Sequence, residues 1–391
     1  MIELLFPILL GEAVLGGGGR TFAVGSVTLR MLLFAAALIA SFVGMATSSR
    51  KRDGLALANF LVLAFFISLL PGLLVDASRG TPPDVIWAGL QPLLFWLTTP
   101  FFALALQNGK EVQRATTIII IGSVAIAAVT SFLMIGLYFG FVGFGSLYVW
   151  SEQTEELFFR GSTNFFYKGH FFVGIGLIFC VILRPKWWKT MAAALILSLA
   201  LSLTRGFYVA VAISILLSLL SQRRPIFILI AVGCGLAATW FYGEFIFDIL
   251  LDPSRIESSN TRTYDTDYFL VTFDYQTVLM GEGFGSLLNG RANIENSYIW
   301  VFWRFGIIGI IFMMAPLVIC ARYHAQVPRT NEYRPLADAY FFGVVMLYIV
   351  TAINPFVNNS IGLIFLFCAL FCLRRLSRLV AAPPPPIGLI A

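Results

Sequence analysis

A succession of apolar runs, each close to 20 residues long, limits the folds open to this chain. An α-helix needs about 20 apolar residues to cross a bilayer. The sequence of 391 residues is 59% hydrophobic and only 12% charged, against about 25% charged residues in a soluble protein. On the length rule the runs predict twelve membrane helices, at residues 2–17, 22–47, 55–75, 84–106, 115–138, 169–184, 187–204, 206–222, 225–243, 297–321, 335–354 and 358–377.

The predicted fold is therefore an all-α polytopic membrane protein, with about 12 transmembrane helices and one long periplasmic loop. Residues 1–380 form a single integral membrane domain. Its predicted external loops are residues 139–168 and 244–296. Residues 381–391 contain four consecutive prolines and are expected to be a disordered cytoplasmic tail.

The placement of lysine and arginine predicts the orientation. Most of the 26 basic residues fall in alternate loops and in the C-terminal segment, where the acids are only Asp53, Glu111 and Glu332. Cytoplasmic loops carry this excess of positive charge, so both termini are expected in the cytoplasm. The net charge of +6 is explained by this bias, and nucleic acid is not an expected partner.

The opposite face receives residues 76–84, 139–168, 244–296 and 354–359, together with Arg205 in a tight hairpin between two apolar runs. A charge at such a boundary is a functional candidate by default. A guanidinium donates two parallel hydrogen bonds to phosphate oxygens, which suits it to bind a diphosphate. The candidate catalytic residues are Arg205, Arg262 and Glu295, and the candidate substrate-binding residues are Arg160, Lys168, His170, Tyr264, Arg291, Asn296 and Arg304.

Two further arginines, Arg30 and Arg304, lie inside predicted helices. They need partners in the membrane, for which Glu12 and Asp338 are candidates, and a structural or a functional role is equally open. The GEGFG string at 281–285 follows no strand, so it favours a turn that permits close backbone approach over a nucleotide loop. The acids of the long loop match no metal-binding spacing, so neither a metal nor another cofactor is expected.

Three separated segments resemble the O-antigen ligase and O-antigen polymerase superfamily. SLALSLTRGFYVAVAISILLSLL is similar to the family's Ser-x-Ser-Arg-Gly segment and following helix. Arg262 and the later GEGFG are similar to its loop arginine and Gly-x-Gly turn. ENSYIWVFWRFGIIGIIF is similar to its His-Asn-Ser-Tyr-Leu segment, with Glu295 where the family has histidine.

The resemblance implies a glycosyltransferase of the bacterial inner membrane, with its active site on the periplasmic face. Its substrates would be oligosaccharides on undecaprenyl pyrophosphate, as donor and acceptor, within the membrane lipids and alongside other polysaccharide assembly proteins. The family's functional arginines would fall on Arg205 and Arg262. Two or more arginines would stabilise the leaving diphosphate without a metal, and Glu295 would accept the acceptor's proton.

The missing histidine favours a polymerase of surface polysaccharide (exopolysaccharide, capsule or O-antigen) over a ligase that transfers glycan to lipid A core or protein. A transporter or flippase of a lipid-linked or anionic substrate is the alternative from another class. Transporters usually have internal repeats and polar groups at the bilayer midplane. Here no repeat is visible and the polar groups gather at one face.

Overall fold

The computed structural model describes residues 1–25, 27–47, 54–222, 253–272, 274–291 and 294–381, without the side chains of Val24, Arg160, 253–262 and Ala381. Within these ranges the chain is overwhelmingly helical. The helices are α1 Ile2–Leu15, α2 Leu29–Thr47, α3 Leu55–Arg79, α4 Pro83–Leu90, α5 Thr99–Ala105, α6 Gly109–Phe139, α7 Phe144–Thr154, α8 His170–Leu183, α9 Trp188–Ser202, α10 Arg205–Ser221, α11 Pro253–Thr272, α12 Tyr275–Met280, α13 Ser297–Gln326, α14 Arg334–Thr351 and α15 Ser360–Ala381.

Six helical stretches among the described residues are long and apolar enough to span a membrane. They are Leu29–Thr47, Leu55–Arg79, Pro83–Ala105, Gly109–Phe139, Ser297–Gln326 and Arg334–Thr351. The all-α membrane architecture is thereby confirmed, while the count of twelve spans stays a prediction. Helices α8, α9 and α10 are apolar but shorter, and the predicted span 225–243 lies outside the described residues.

Three predicted segments differ in detail from the structure. The second helix begins at Leu29 rather than at residue 22, because two short strands, β1 Ala23–Val24 and β2 Val27–Thr28, pair before it. The run 84–106 is divided into α4, a 3₁₀ stretch Gln91–Thr98 and α5. Proline lacks the backbone N–H that an α-helix needs, and Pro92 and Pro100 lie near the two divisions.

The predicted loop 139–168 also contains regular structure. It holds α7 and a hairpin of β3 Leu157–Arg160 with β4 Asn164–Tyr167, in which Leu157 pairs with Tyr167 and Arg160 pairs with Asn164. The hairpin leads directly into α8. It therefore forms a folded cover at one end of the bundle.

The core surrounds α8 and α15. Residues 170–180 of α8 and 361–373 of α15 are buried on all sides, as expected of helices that are apolar all round. Large apolar side chains on α2, α3 and α6 point outward instead, and Phe42, Phe60 and Ile121 are each at least 60% exposed. In a membrane protein such side chains face lipid, so α2, α3 and α6 form the outer surface of the bundle around α8 and α15.

Candidate active site at the outer face

The connection between α14 and α15, residues 352–359, lies at the centre of one end of the bundle, which we call the outer face. Ile353 contacts the start of α10, where a Cβ on Gly206 would lie 2.5 Å from its Cδ1. The Phe356 ring stacks on Phe171, with centroids 4.8 Å apart. The hydroxyl of Ser360 accepts a 3.0 Å hydrogen bond from Arg30. Three distant parts of the sequence thus meet at this connection.

Arg205 is the first residue of α10 and is half-buried beside this connection. The N-terminus of a helix carries a partial positive charge and exposed N–H groups, which favour anions. A guanidinium at this position adds a full charge to that field. The absence of a side chain at Gly206 lets the 352–359 connection pack closely against the start of α10. Arg205 therefore lies beside this connection, at the part of the outer face that we call the mouth of the bundle.

Arg30 and Glu12 form a buried ion pair near this mouth. The Arg30 Nε and Glu12 Oε2 atoms are 2.8 Å apart, and a second bond joins Nη2 to Oε1 at 3.1 Å. Both residues are less than 7% exposed. The expected pairing of Arg30 with Glu12 is confirmed. Because the donors of Arg30 are held by Glu12 and Ser360, this pair fixes α1, α2 and α15 at the outer face.

A second carboxylate, Glu156, is fully buried between the β-hairpin and the glycine-rich segment after α1. Its two oxygens accept backbone N–H bonds from Gly18 at 2.6 Å and Arg20 at 2.8 Å. Gly17 has a φ of +54° and a Cβ there would lie 2.7 Å from this carboxylate, so the close approach requires glycine. Burial raises the pKa of Glu156, against the lowering effect of these hydrogen bonds and of Lys168.

The GEGFG turn packs on a break in α13. Gly306 has a φ of +62°, which interrupts the helix and frees the preceding carbonyl groups. Glu282 N–H donates to the Trp303 carbonyl at 2.6 Å, and Gly283 N–H donates to the Arg304 carbonyl at 3.3 Å. The interpretation of GEGFG as a turn for close backbone approach is confirmed, since a Cβ on Gly281 would lie 2.4 Å from the Arg304 backbone.

Asp76, at the end of α3, holds the other side of this turn. Its fully buried carboxylate accepts N–H bonds from Phe284 at 2.7 Å and Gly285 at 2.9 Å, and a hydroxyl bond from Thr81 at 2.9 Å. Arg79 lies just beyond and forms an ion pair with Glu282. The turn is therefore held by α13 from one side and by α3 from the other.

Arg304 is buried beneath the turn. It donates a 2.8 Å hydrogen bond to the Phe284 carbonyl, and its guanidinium lies 4.7 Å from the Trp300 ring centroid. Asp338, one of the two partners considered for the intramembrane arginines, lies elsewhere and binds Arg334 at 2.7 Å. The structure therefore shows Arg304 supporting the turn and the Trp300 ring.

The described part of the long loop folds back on α13. Asp265 of α11 forms a 2.8 Å ion pair with Arg291. Burial raises the pKa of Asp265, Arg291 lowers it and the nearby Glu295 raises it, which brings these three charges into one group. Phe269 of α11 packs edge-on against Trp303 of α13. The Phe269 contact thus anchors the loop on α13, and the ion pair joins α11 to the segment that leads into α13.

The remaining residues predicted in this loop surround that anchor. Asn296 caps α13, since its side-chain oxygen accepts the N–H groups of Tyr298 and Ile299. Tyr264 is 64% exposed on α11. Arg262 lies one helical turn before Asp265 on the same helix, and its side chain is outside the described part of the structure.

The residues predicted near the start of α8 lie in the β-hairpin or between it and the first turn of α8. Lys168 is half-buried, with Nζ 5.5 Å from the Phe158 ring centroid, and burial lowers its pKa. His170 is fully buried; its Nδ1 lies 2.9 Å from the Tyr167 amide nitrogen and its Nε2 lies 3.2 Å from Ser198 Oγ. Arg160 ends β3, and its side chain is outside the described residues.

The outer face thus holds Arg205 beside the 352–359 connection and the Asp265, Arg291 and Glu295 group beside α13. The Tyr298 hydroxyl links the two regions by donating to the Tyr348 carbonyl at the end of α14. Asp76 and Glu156 have a structural role that the sequence analysis did not predict: each carboxylate accepts backbone N–H bonds that hold a glycine-rich segment in place. Nothing in the sequence distinguishes them from other loop acids, because both act on glycine-rich backbone more than 130 residues away.

Comparison with known proteins gives one whole-length likeness. No family model matches the chain. An O-antigen polymerase of Shigella flexneri is 26% identical to it over 367 residues, which cover 92% of this chain and 92% of that protein. The predicted resemblance to the O-antigen polymerase and ligase superfamily is confirmed. The motifs that resembled the superfamily lay within residues 165–315, whereas the likeness to its polymerase member extends over nearly the whole chain.

Proposed function

We propose that this protein is a membrane glycosyltransferase that polymerises lipid-linked oligosaccharide repeat units into a surface polysaccharide. The observation that carries the proposal is the end-to-end likeness to an O-antigen polymerase. A ligase would use lipid A core or protein as its second substrate. A transporter would need a path for its substrate across the membrane. The outer-face cluster of cationic and acidic groups supports chemistry at one membrane surface.

The reaction transfers a growing glycan from its undecaprenyl diphosphate to a sugar hydroxyl of a new lipid-linked repeat unit. The bond between the anomeric carbon and the diphosphate oxygen breaks, and the diphosphate leaves with the electron pair. The acceptor oxygen forms the new glycosidic bond and loses its proton to a base. Negative charge therefore develops on the leaving diphosphate, where fixed cations stabilise it most effectively.

We assign the diphosphate to Arg205 and Arg262. Arg205 is supported by its position at the first turn of α10, where the helix field and the guanidinium act on the same anion. Arg262 is supported by its backbone position on α11, the helix that Asp265 joins to Arg291. No metal ion is part of this assignment, since the two guanidinium groups supply the charge.

We assign the proton transfer to Glu295. It lies in the turn before α13, is half-buried and is electrostatically coupled to Asp265. Arg291 is a positioning residue in this proposal, because its ion pair with Asp265 holds the segment that carries Glu295. Asn296 supports the same segment by capping α13.

The other predicted residues would bind or position the sugars. Exposed Tyr264 offers a ring for stacking against a sugar, and Arg304 orients the Trp300 ring for the same purpose. Lys168 and Arg160 lie at the hairpin that borders the mouth, where a second diphosphate would need cations. His170 acts by holding this hairpin on α8 and α9.

The proposal includes a location and a set of partners. The protein would lie in the bacterial inner membrane with twelve spans, both termini in the cytoplasm and the active site facing the periplasm. Donor and acceptor would both be undecaprenyl-diphosphate glycans, and other polysaccharide assembly proteins are further candidate partners. The basic loops of the opposite face support this orientation.

The test is the length of the surface glycan in cells that carry single variants. Arg205→Ala and Arg262→Ala should each reduce polymerisation by about 10²–10³-fold, the usual effect of removing one transition-state charge partner. Arg114→Ala, an exposed arginine at the other end of the bundle, is the matched control. Normal glycan length in Arg205→Ala, at unchanged protein level in the membrane, would refute the assignment.

A further inference from the structure

A second polar site lies at the inner face, opposite Arg205. A cavity of about 390 Å³ opens between the ends of α8 and α10 and the connection from α13 to α14. Its volume falls in the usual range for small-molecule sites, about 300–1,000 Å³. Charged residues line it: Arg184, Arg329, Glu332, Arg334 and Asp338. We call it the inner cavity.

Part of the lining of the inner cavity is a cluster of paired charges. The buried Asp338 carboxylate lies 2.7 Å from Arg334 Nε and 2.7 Å from His324 Nε2. Arg334 also donates to the Val327 carbonyl at 2.6 Å and the His324 carbonyl at 3.2 Å. Because these partners hold its donors, Arg334 shapes the cavity. The other charged residues of the lining are two cations, Arg184 and Arg329, and one acid, Glu332.

The rim carries an excess of positive charge beside two tryptophans. The string RPKWWK begins at Arg184, and its lysines are exposed. Arg184 lies over the Trp188 ring at 5.7 Å, and Lys186 lies over the Trp187 ring at 5.7 Å. Trp187 is 69% exposed. Tryptophan prefers the level of the lipid headgroups, so this rim is built to lie at the membrane surface.

We propose that the inner cavity binds the phosphate group of an anionic phospholipid from the cytoplasmic leaflet. Arg184 and Arg329 would contact the phosphate, and the Trp187 ring would lie beside the adjoining glycerol and acyl region. Basic pockets between membrane helices on the cytoplasmic side are suited to such headgroups. A free phosphate compound would offer the same group without the acyl chains, so the two sources need to be separated by experiment.

The experiment measures lipid binding to the full-length protein by native mass spectrometry after extraction from bilayers of phosphatidylcholine with phosphatidylglycerol or cardiolipin. The wild type should retain the anionic lipids in preference to phosphatidylcholine. Each cation removed should weaken retention about fivefold, the equivalent of about 1 kcal/mol per cation near an anionic surface. Arg184→Ala with Arg329→Ala should therefore lose about twenty-five-fold.

Matched variants separate this site from general charge. Arg322→Ala removes an exposed cation from the same end of α13 outside the cavity, and should retain the lipid. Arg329→Ala alone changes an exposed side chain and should still lose about fivefold, which keeps the test valid if the double variant fails to fold. Equal retention by wild type and both cavity variants would overturn the proposal. Displacement of the lipid by millimolar inorganic phosphate would overturn its assignment to a lipid.

Discussion

Replacing Asp76 by alanine should release the GEGFG turn from α3. The carboxylate accepts two backbone N–H bonds, from Phe284 and Gly285, and one hydroxyl bond from Thr81. A buried donor that loses its acceptor costs about 1–3 kcal/mol. Two such amides give about 4 kcal/mol, so the free energy of local opening should fall by that amount.

Hydrogen exchange followed by mass spectrometry measures this effect in the purified protein. The exchange rate of a protected amide follows its opening equilibrium. A fall of about 4 kcal/mol corresponds to about a thousandfold faster exchange at Phe284 and Gly285. Asp76→Asn retains one acceptor oxygen and should lose about half of this free energy.

Asp84→Ala is the matched control, since Asp84 is an exposed acid eight residues further along the chain, in the first turn of α4. Its exchange at the turn should equal that of the wild type. Exchange at Phe284 and Gly285 within about threefold of the wild type in Asp76→Ala would refute the reasoning, because the carboxylate would then not hold the turn.

Three further predictions concern stability, each measured by thermal unfolding in detergent. Gly306→Ala should cost about 1–3 kcal/mol, because its φ of +62° disfavours any side chain. Gly145→Ala, in open space on α7, should cost nothing, because alanine favours a helix over glycine. Glu12→Gln should cost about 3–5 kcal/mol by leaving the Arg30 charge buried, and adding Arg30→Gln should restore part of the loss. Burial raises the pKa of Glu156, so the folded protein binds this proton more tightly than the unfolded chain. The free energy of unfolding of the wild type, minus that of Glu156→Gln, should therefore be highest at low pH and decline as the pH rises past 4.5, the ordinary pKa of a glutamate. A difference that does not change with pH would contradict this.

Hydropathy predicted most of the fold because the length of an apolar run is set by the thickness of the bilayer. Eleven of the twelve predicted segments coincide with helical residues, and the twelfth is outside the described residues. The start of α2 differs from the prediction because Ala23 and Val24 are as apolar as a helix, although they pair as a short strand. Apolar content cannot distinguish the two structures over so few residues.

The candidate site was predicted unevenly, for physical reasons. The Arg30–Glu12 pair was accessible because two charges within apolar runs need each other. Asp76 and Glu156 were not, because their partners are backbone N–H groups, which have no sequence signature. The turn at 281–285 was recognisable from its glycines, whereas the break at Gly306 depends on the packing of α12 against α13.

Purified protein in detergent, supplied with two lipid-linked repeat units and no other protein, offers a direct test of the proposed function. Wild-type protein should join them into a longer glycan on one lipid diphosphate and release free undecaprenyl diphosphate. Arg205→Ala should form little or none of it, while Arg114→Ala should equal the wild type. Failure of the folded wild type to form any longer glycan, or undiminished product from Arg205→Ala, would contradict a transferase that acts through this outer-face arginine.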